Sequence, residues 1–185
     1  MRVDAAKYGD EAALHALGAQ SVAEVRDDAG ALVAYDVSPE ISLKGYAAAA
    51  RDRFLVVKAE MKAAIDASAE ALRLTLITPG AGQAMEYQEA YAQAQAALAA
   101  DGPVKDADYP MLAATIGVDF DPSSKKPATD VLGVARSVKA AYEAYLLAGA
   151  AIRGVRLTGK AKIDAATDEA AARAAFKAIS WPSFA

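Results

Sequence analysis

Toward the C-terminus, apolar positions recur at alternating three- and four-residue steps: Val131, Val134, Val138, Ala141, Tyr145, Ala148, Ile152 and Val155. That period predicts a long helix laid along another helix, in the manner of a coiled-coil seam. The same period runs from about Lys44 to Leu76 through Phe54, Val57, Met61, Ile65, Ser68 and Leu72. About 30 helical residues would span roughly 45 Å. Arg51, Lys58, Glu60 and Lys62 fall on the other faces. A further helix is predicted over Gln83 to Ala100, carrying Met85, Tyr87, Tyr91, Ala94 and Leu98.

Breakers separate these segments. Thr78-Pro79-Gly80-Ala81-Gly82 is a strong local stop, with Gly80 and Gly82 permitting a tight reversal. Asp101-Gly102-Pro103 ends the next helix, and Pro110 to Ile116 form a short helical turn. Asp119 to Pro127 is polar and contains two prolines, so an exposed loop is expected there. Thr129 or Asp130 can cap the long helix, which is expected to run to about Ala166. Gly149, Gly154 and Gly159 weaken its later part or allow close packing. Thr167 or Asp168 can cap a last helix to Ile179, and Glu169 suits its positive end. Trp181 and Phe184 offer aromatic bodies to clamp a bundle end.

Before Lys44 the pattern differs. Ala12 to Leu17 fit a short helix stopped by Gly18. Val22 to Val25 and Leu32 to Tyr35 read as two short strands, with Asp27-Asp28-Ala29-Gly30 as their turn. A two-stranded ribbon is marginal alone. It must pack on the helices, join another subunit or dock on a different protein. The predicted fold class is mainly α: an elongated helical bundle with a small N-terminal β-hairpin-like element. Residues 1–43 form a strand-containing attachment region, and residues 44–185 an alanine-rich helical bundle in which three larger helices share one core.

Composition refines this picture. The 185 residues are enough for one substantial core, and 55% are hydrophobic, but only 7% are aromatic. Alanine therefore carries much of the apolar content. It favours helices and close approach but buries little area per residue, so assembly with other chains would add burial. A homo-oligomer through the long seam is one way to gain it. The net charge is -4 and basic residues are scattered, which disfavours nucleic acid as a partner. Cysteine is absent, removing disulfides and thiolate chemistry and fitting a reducing compartment. Asp4, Lys7, Asp10 and Glu11 interrupt the start of the chain, so no cleaved leader is expected. No uncharged apolar run reaches membrane-spanning length, and no membrane insertion is expected.

Candidate chemistry is sparse. His15 is the single histidine and has no cysteine or zinc motif beside it. Gly80-Ala81-Gly82-Gln83 lacks the spacing and Lys-Ser/Thr pair of a phosphate loop. Asp119, Asp121, Ser123 and Asp130 faintly suggest a calcium loop, but Ser124 replaces the turn glycine and the closing glutamate is missing. Asp119 and Asp121 are the nearest local pair for acid hydrolysis. Tyr87 with Tyr91, and Tyr142 with Tyr145, share helical faces and suit packing; a carbohydrate platform is the other use of such rings. No catalytic, cofactor-binding or metal residue is assigned, and neither an enzyme nor a cofactor is expected.

Five short segments carry a resemblance. Ile77-Thr78-Pro79-Gly80-Ala81-Gly82-Gln83 is followed by Tyr87-Gln88-Glu89, then by Tyr109-Pro110-Met111-Leu112-Ala113-Ala114. Ile152-Arg153-Gly154-Val155-Arg156 and Lys160-Ala161-Lys162-Ile163-Asp164-Ala165-Ala166 complete the series. In this order, over roughly Lys58 to Ala174, the chain resembles uncharacterised tail-associated proteins of tailed bacteriophages and prophages. Its polar connection from Asp119 to Pro127 is longer than expected in such proteins. The resemblance implies a noncatalytic structural role in a tail or tail fibre, with other phage tail proteins as partners. It also implies a location in the virion after synthesis in the host cytoplasm. A transient tail-fibre assembly chaperone and a host-surface carbohydrate-binding module are the alternatives.

Overall fold

The computed structural model describes residues 1–77 and 80–184. Its elements run β1 (Arg2–Asp4), α1 (Glu11–Ala16), β2 (Ser21–Arg26), β3 (Leu32–Ser38), α2 (Tyr46–Leu74) and α3 (Ala81–Ala99). A 3-10 turn at Asp106–Asp108 precedes α4 (Pro110–Ala113), β4 (Phe120–Asp121), β5 (Lys126–Pro127), α5 (Val131–Ala165) and α6 (Glu169–Lys177). The protein is mainly α, with a small antiparallel sheet near its N-terminus. No helix among the described residues is long and apolar enough to cross a membrane.

Two compact units make up the chain. One comprises Met1–Ala64 with Gly159–Ala178, the other Ile65–Thr158 with Ile179–Ala185. Both long helices therefore contribute to both units. Buried residues form a cluster in each.

In the first unit, β3 lies between β1 and β2 and pairs antiparallel with both. The predicted hairpin turn is present. Asp27 Oδ1 accepts from the amides of Ala29 at 3.0 Å and Ala31 at 2.8 Å, and Gly30 takes a positive φ of 81°. Alternation along the strands puts Val3, Tyr35 and Val37 on one face, where Leu14 and Ala19 join them in the core. Asp10 caps α1 by accepting from the Ala13 amide, and Gly18, with φ 106°, ends the segment. The strand β1 is an addition to the predicted pair.

In the second unit, Ala94 and Ala97 of α3 and Leu112 of α4 pack with Val131, Val134 and Ala135 of α5. Asp130, the second of the two predicted caps, accepts from the Gly133 amide at 2.7 Å. The seam of α5 is buried at Val131, Val134 and Ile152 but shifts in its middle: Ala141 is exposed and Tyr142 half-buried. On α2, Ala69 is buried and Ser68 exposed, a shift of one residue from the predicted phase. Alanine is compatible with either phase, so the surrounding volume decides.

Candidate interaction surface

Among the described residues, four polar assemblies and one groove bear on the candidate chemistry. The first assembly lies in the expected loop at Asp119 to Pro127, which is exposed over residues 122 to 127 as expected but is closed by a short strand pair. This segment is a hairpin in which β4 pairs with β5, joined by a turn that places Lys125 at φ 56°. Asp121 is buried, at 5% exposure. It receives Arg136 Nε on Oδ1 at 3.0 Å and Arg136 Nη2 on Oδ2 at 2.8 Å, while the Ser123 amide donates to Oδ1 at 2.9 Å. Those donors hold the Asp121 carboxyl well below the usual carboxylate range, Arg136 contributing most. Gly133 makes the close approach possible: a Cβ there would lie 2.9 Å from Ala128 Cβ and 3.4 Å from Asp121 Oδ2.

The carboxylates considered for calcium or acid catalysis are thus occupied separately. Asp121 is committed to Arg136 and Asp130 to the helix cap. Asp119 Oδ2 accepts from the Thr115 hydroxyl at 2.8 Å. Asp121, kept ionised by a bidentate guanidinium, is poorly suited to donate a proton near neutral pH. Among the described residues no cluster of three or more His, Asp or Glu side chains is placed to hold a metal ion.

The second assembly lies in the first unit. Arg53 of α2 pairs with Asp10 at 3.3 Å and with Glu169. The bond to Arg53 is the main reason that Glu169 titrates lower than an ordinary glutamate. The third assembly closes the end of α5. Lys58 Nζ donates to the carbonyls of Asp164 at 3.0 Å and Ala166 at 2.7 Å, and Lys62 pairs with the Asp164 carboxylate at 2.7 Å. Cations at a helix C-terminus satisfy carbonyls left without intrahelical partners. Sequence reasoning set Lys58 and Lys62 aside as residues of the other faces and did not single out Arg53. The fourth is small: His15 Nδ1 bonds the Ala19 carbonyl at 2.7 Å, joining the end of α1 to the lead into β2.

The groove lies wholly in the second unit. It encloses about 920 Å³ between α3, α4, α5 and the residues after α2. Tyr91 and Tyr142 stack across it, with ring centroids 3.6 Å apart and planes at 19°. The close aromatic pair thus forms between helices, where the sequence reading paired tyrosines along each helix. Sequence spacing locates rings on a face but is silent on which face meets which. Tyr87 is 49% exposed, Met85 71%, Leu146 49% and Leu147 75%. A smaller hollow of about 480 Å³ adjoins it, sharing Glu86, Gln88 and Met111. Of the glycine segment, Thr78 and Pro79 lie outside the described residues; Gly80 precedes α3, and Gly82 sits in its first turn with open space around it. Only Gly80 has a positive φ, so Gly82 imposes no demand on the turn.

No protein-family model, curated protein or solved structure matches this chain.

Proposed function

We propose that this chain is a noncatalytic structural component of a bacteriophage tail or tail-fibre apparatus, acting through protein–protein assembly in the virion. What supports the tail assignment is the ordered resemblance between Lys58 and Ala174. The observation that carries assembly is the line of large apolar side chains left in solvent beside the groove. Tyr87 and Leu146, each 49% exposed, line the groove, and Met85, at 71%, lines the hollow beside it. Monomeric surfaces carry isolated apolar residues without consequence, but a cluster flanking a concave aromatic surface is typical of a face covered by a partner. The commitment of Asp119, Asp121 and Asp130 to internal partners supports a mechanical role over a hydrolytic one.

Quantitative mass spectrometry of purified particles tests the reading. Stoichiometric copies in mature virions are expected. Absence from particles despite strong expression would replace it with a transient assembly chaperone, a role the same open groove would serve. Glycan shortening by the purified protein, abolished by Asp119→Asn, would overturn the noncatalytic assignment altogether.

A further inference from the structure

The two adjoining hollows on α3, α4 and α5 combine aromatic and methionine side chains with carboxylates of one sign. Glu86 and Asp119 line the larger hollow, and Glu86 and Glu89 the smaller. Among the described residues no lysine or arginine lines either. Tyr91, Tyr142 and Met111 form apolar floor, and methionine's flexible thioether adapts to varied side chains. An acidic rim around an apolar floor favours a partner whose apolar stripe is flanked by positive charge, because like charges facing each other repel and opposite ones steer encounter. A helix satisfies both requirements: anchors at i, i+3 or i+4 and i+7 fill the floor while basic residues on its margins meet the carboxylates.

We propose that this groove receives a cationic amphipathic helix of a partner protein, with Glu86 and Asp119 selecting its charge. The proposal rests on the assembly reading above and names the chemistry of the partner it needs. It does not require that the partner be a tail protein.

The test uses the full chain and three synthetic peptides of about 18 residues, long enough for several helical turns. One is an amphipathic Leu/Lys helix, one has Glu at every Lys position, and one is a scrambled Leu/Lys sequence. Fluorescence anisotropy of labelled peptides should give micromolar binding of the first, weakening as salt rises. The Glu peptide and the scrambled peptide should each bind at least about tenfold more weakly. Glu86→Lys lies on an exposed position of α3, so the fold should persist, and it should weaken the Leu/Lys peptide about tenfold. Glu86→Gln should weaken it less. Equal binding of the Lys and Glu peptides, binding of neither, or binding indifferent to Glu86→Lys would overturn the proposal. So would a dimer in light scattering that Glu86→Lys dissociates, since the occupant would then be a second copy. If peptide selectivity fails while the chain is found in virions, the tail assignment stands and only the groove's partner is lost. Selective binding by a chain absent from virions gives the opposite result.

Discussion

The two buried clusters are built from different side chains. In the sheet unit the cluster joins Val3, Tyr35 and Val37, held by strand alternation, to Leu14 of α1. In the helical unit Ala94, Ala97, Ala128 and Ala135 do much of the packing around Leu112, Val131 and Val134. Large side chains gain stability from the area each removes from water. Small ones gain it by letting backbones approach, so that the fit depends on the absence of a few atoms. The alanine-rich unit also leaves bulky residues such as Leu146 and Leu147 outside, and it is there that the groove lies. The sheet unit exposes Leu55 and Val56 as well, so what sets the helical unit apart is that its exposed Tyr87 and Leu146 line a groove.

The strongest way to break the contrast is a charge in the helical unit. Ile152 has no exposed surface, and Ile152→Asp should cost more than about 4 kcal/mol, through lost packing and a carboxylate without a partner. A soluble variant with wild-type melting would show that this face is not buried. In the sheet unit Leu14→Ala should cost about 2–5 kcal/mol in urea titration, the range for a buried leucine. Exchange of amide hydrogens should speed first in β1 to β3.

Adding atoms distinguishes the units better than removing them. Gly133→Ala places a methyl group against the buried Ala128 and should cost about 1–3 kcal/mol. An unchanged denaturation midpoint would mean that the hairpin can withdraw at no cost.

Asp121→Asn should lower the melting temperature at neutral pH, with a difference that depends on acid. The carboxyl titrates lower in the folded chain than in the unfolded one, so its stabilisation is complete above the unfolded value near ~4. It is lost as pH falls through the folded value. The gap between wild type and variant should therefore be constant from about pH 7 to pH 5 and narrow below about pH 4. A gap independent of pH over that whole range would remove the ion pair as its cause. The smallest effect is a gain. Lys125 sits at φ 56°, where a Cβ is disfavoured. Lys125→Gly should stabilise by less than about 1 kcal/mol, the relief of strain being offset by greater freedom of the unfolded chain. A loss of stability would mean that the lysine side chain contributes more than its backbone costs.

These particulars show how far the sequence was legible. The β2–β3 hairpin, the caps Asp130 and Asp168 and the bounds of α5 followed from local chemistry: alternation, turn residues and helix-capping carboxylates. Strand β1 did not, because Arg2-Val3-Asp4 carries one apolar residue and is a strand only through its pairing with β3. The phase of α2 slipped at Ser68 and Ala69 because alanine marks no face. The exposure of residues 122 to 127 follows from their polar composition, but the burial of Asp121 does not, because its partner Arg136 stands 15 residues further on. The groove was hidden for the same reason: Tyr91 and Tyr142 come together only once α3 and α5 are in place.

The closure of α5 by Lys58 bears on the order of events during synthesis. Lys58 and the Ala166 carbonyl are 108 positions apart, and Arg53 and Glu169 are 116 apart. The sheet pairs within residues 2 to 38, so it can form while most of the chain has yet to be translated. The lysine must then wait, solvated, until the second long helix has been translated. The unit that starts first is consequently among the last to be finished, and a chain truncated before Gly159 would keep the Arg53–Asp10 pair but lack Glu169 and the acceptors that Lys58 and Lys62 meet at the end of α5.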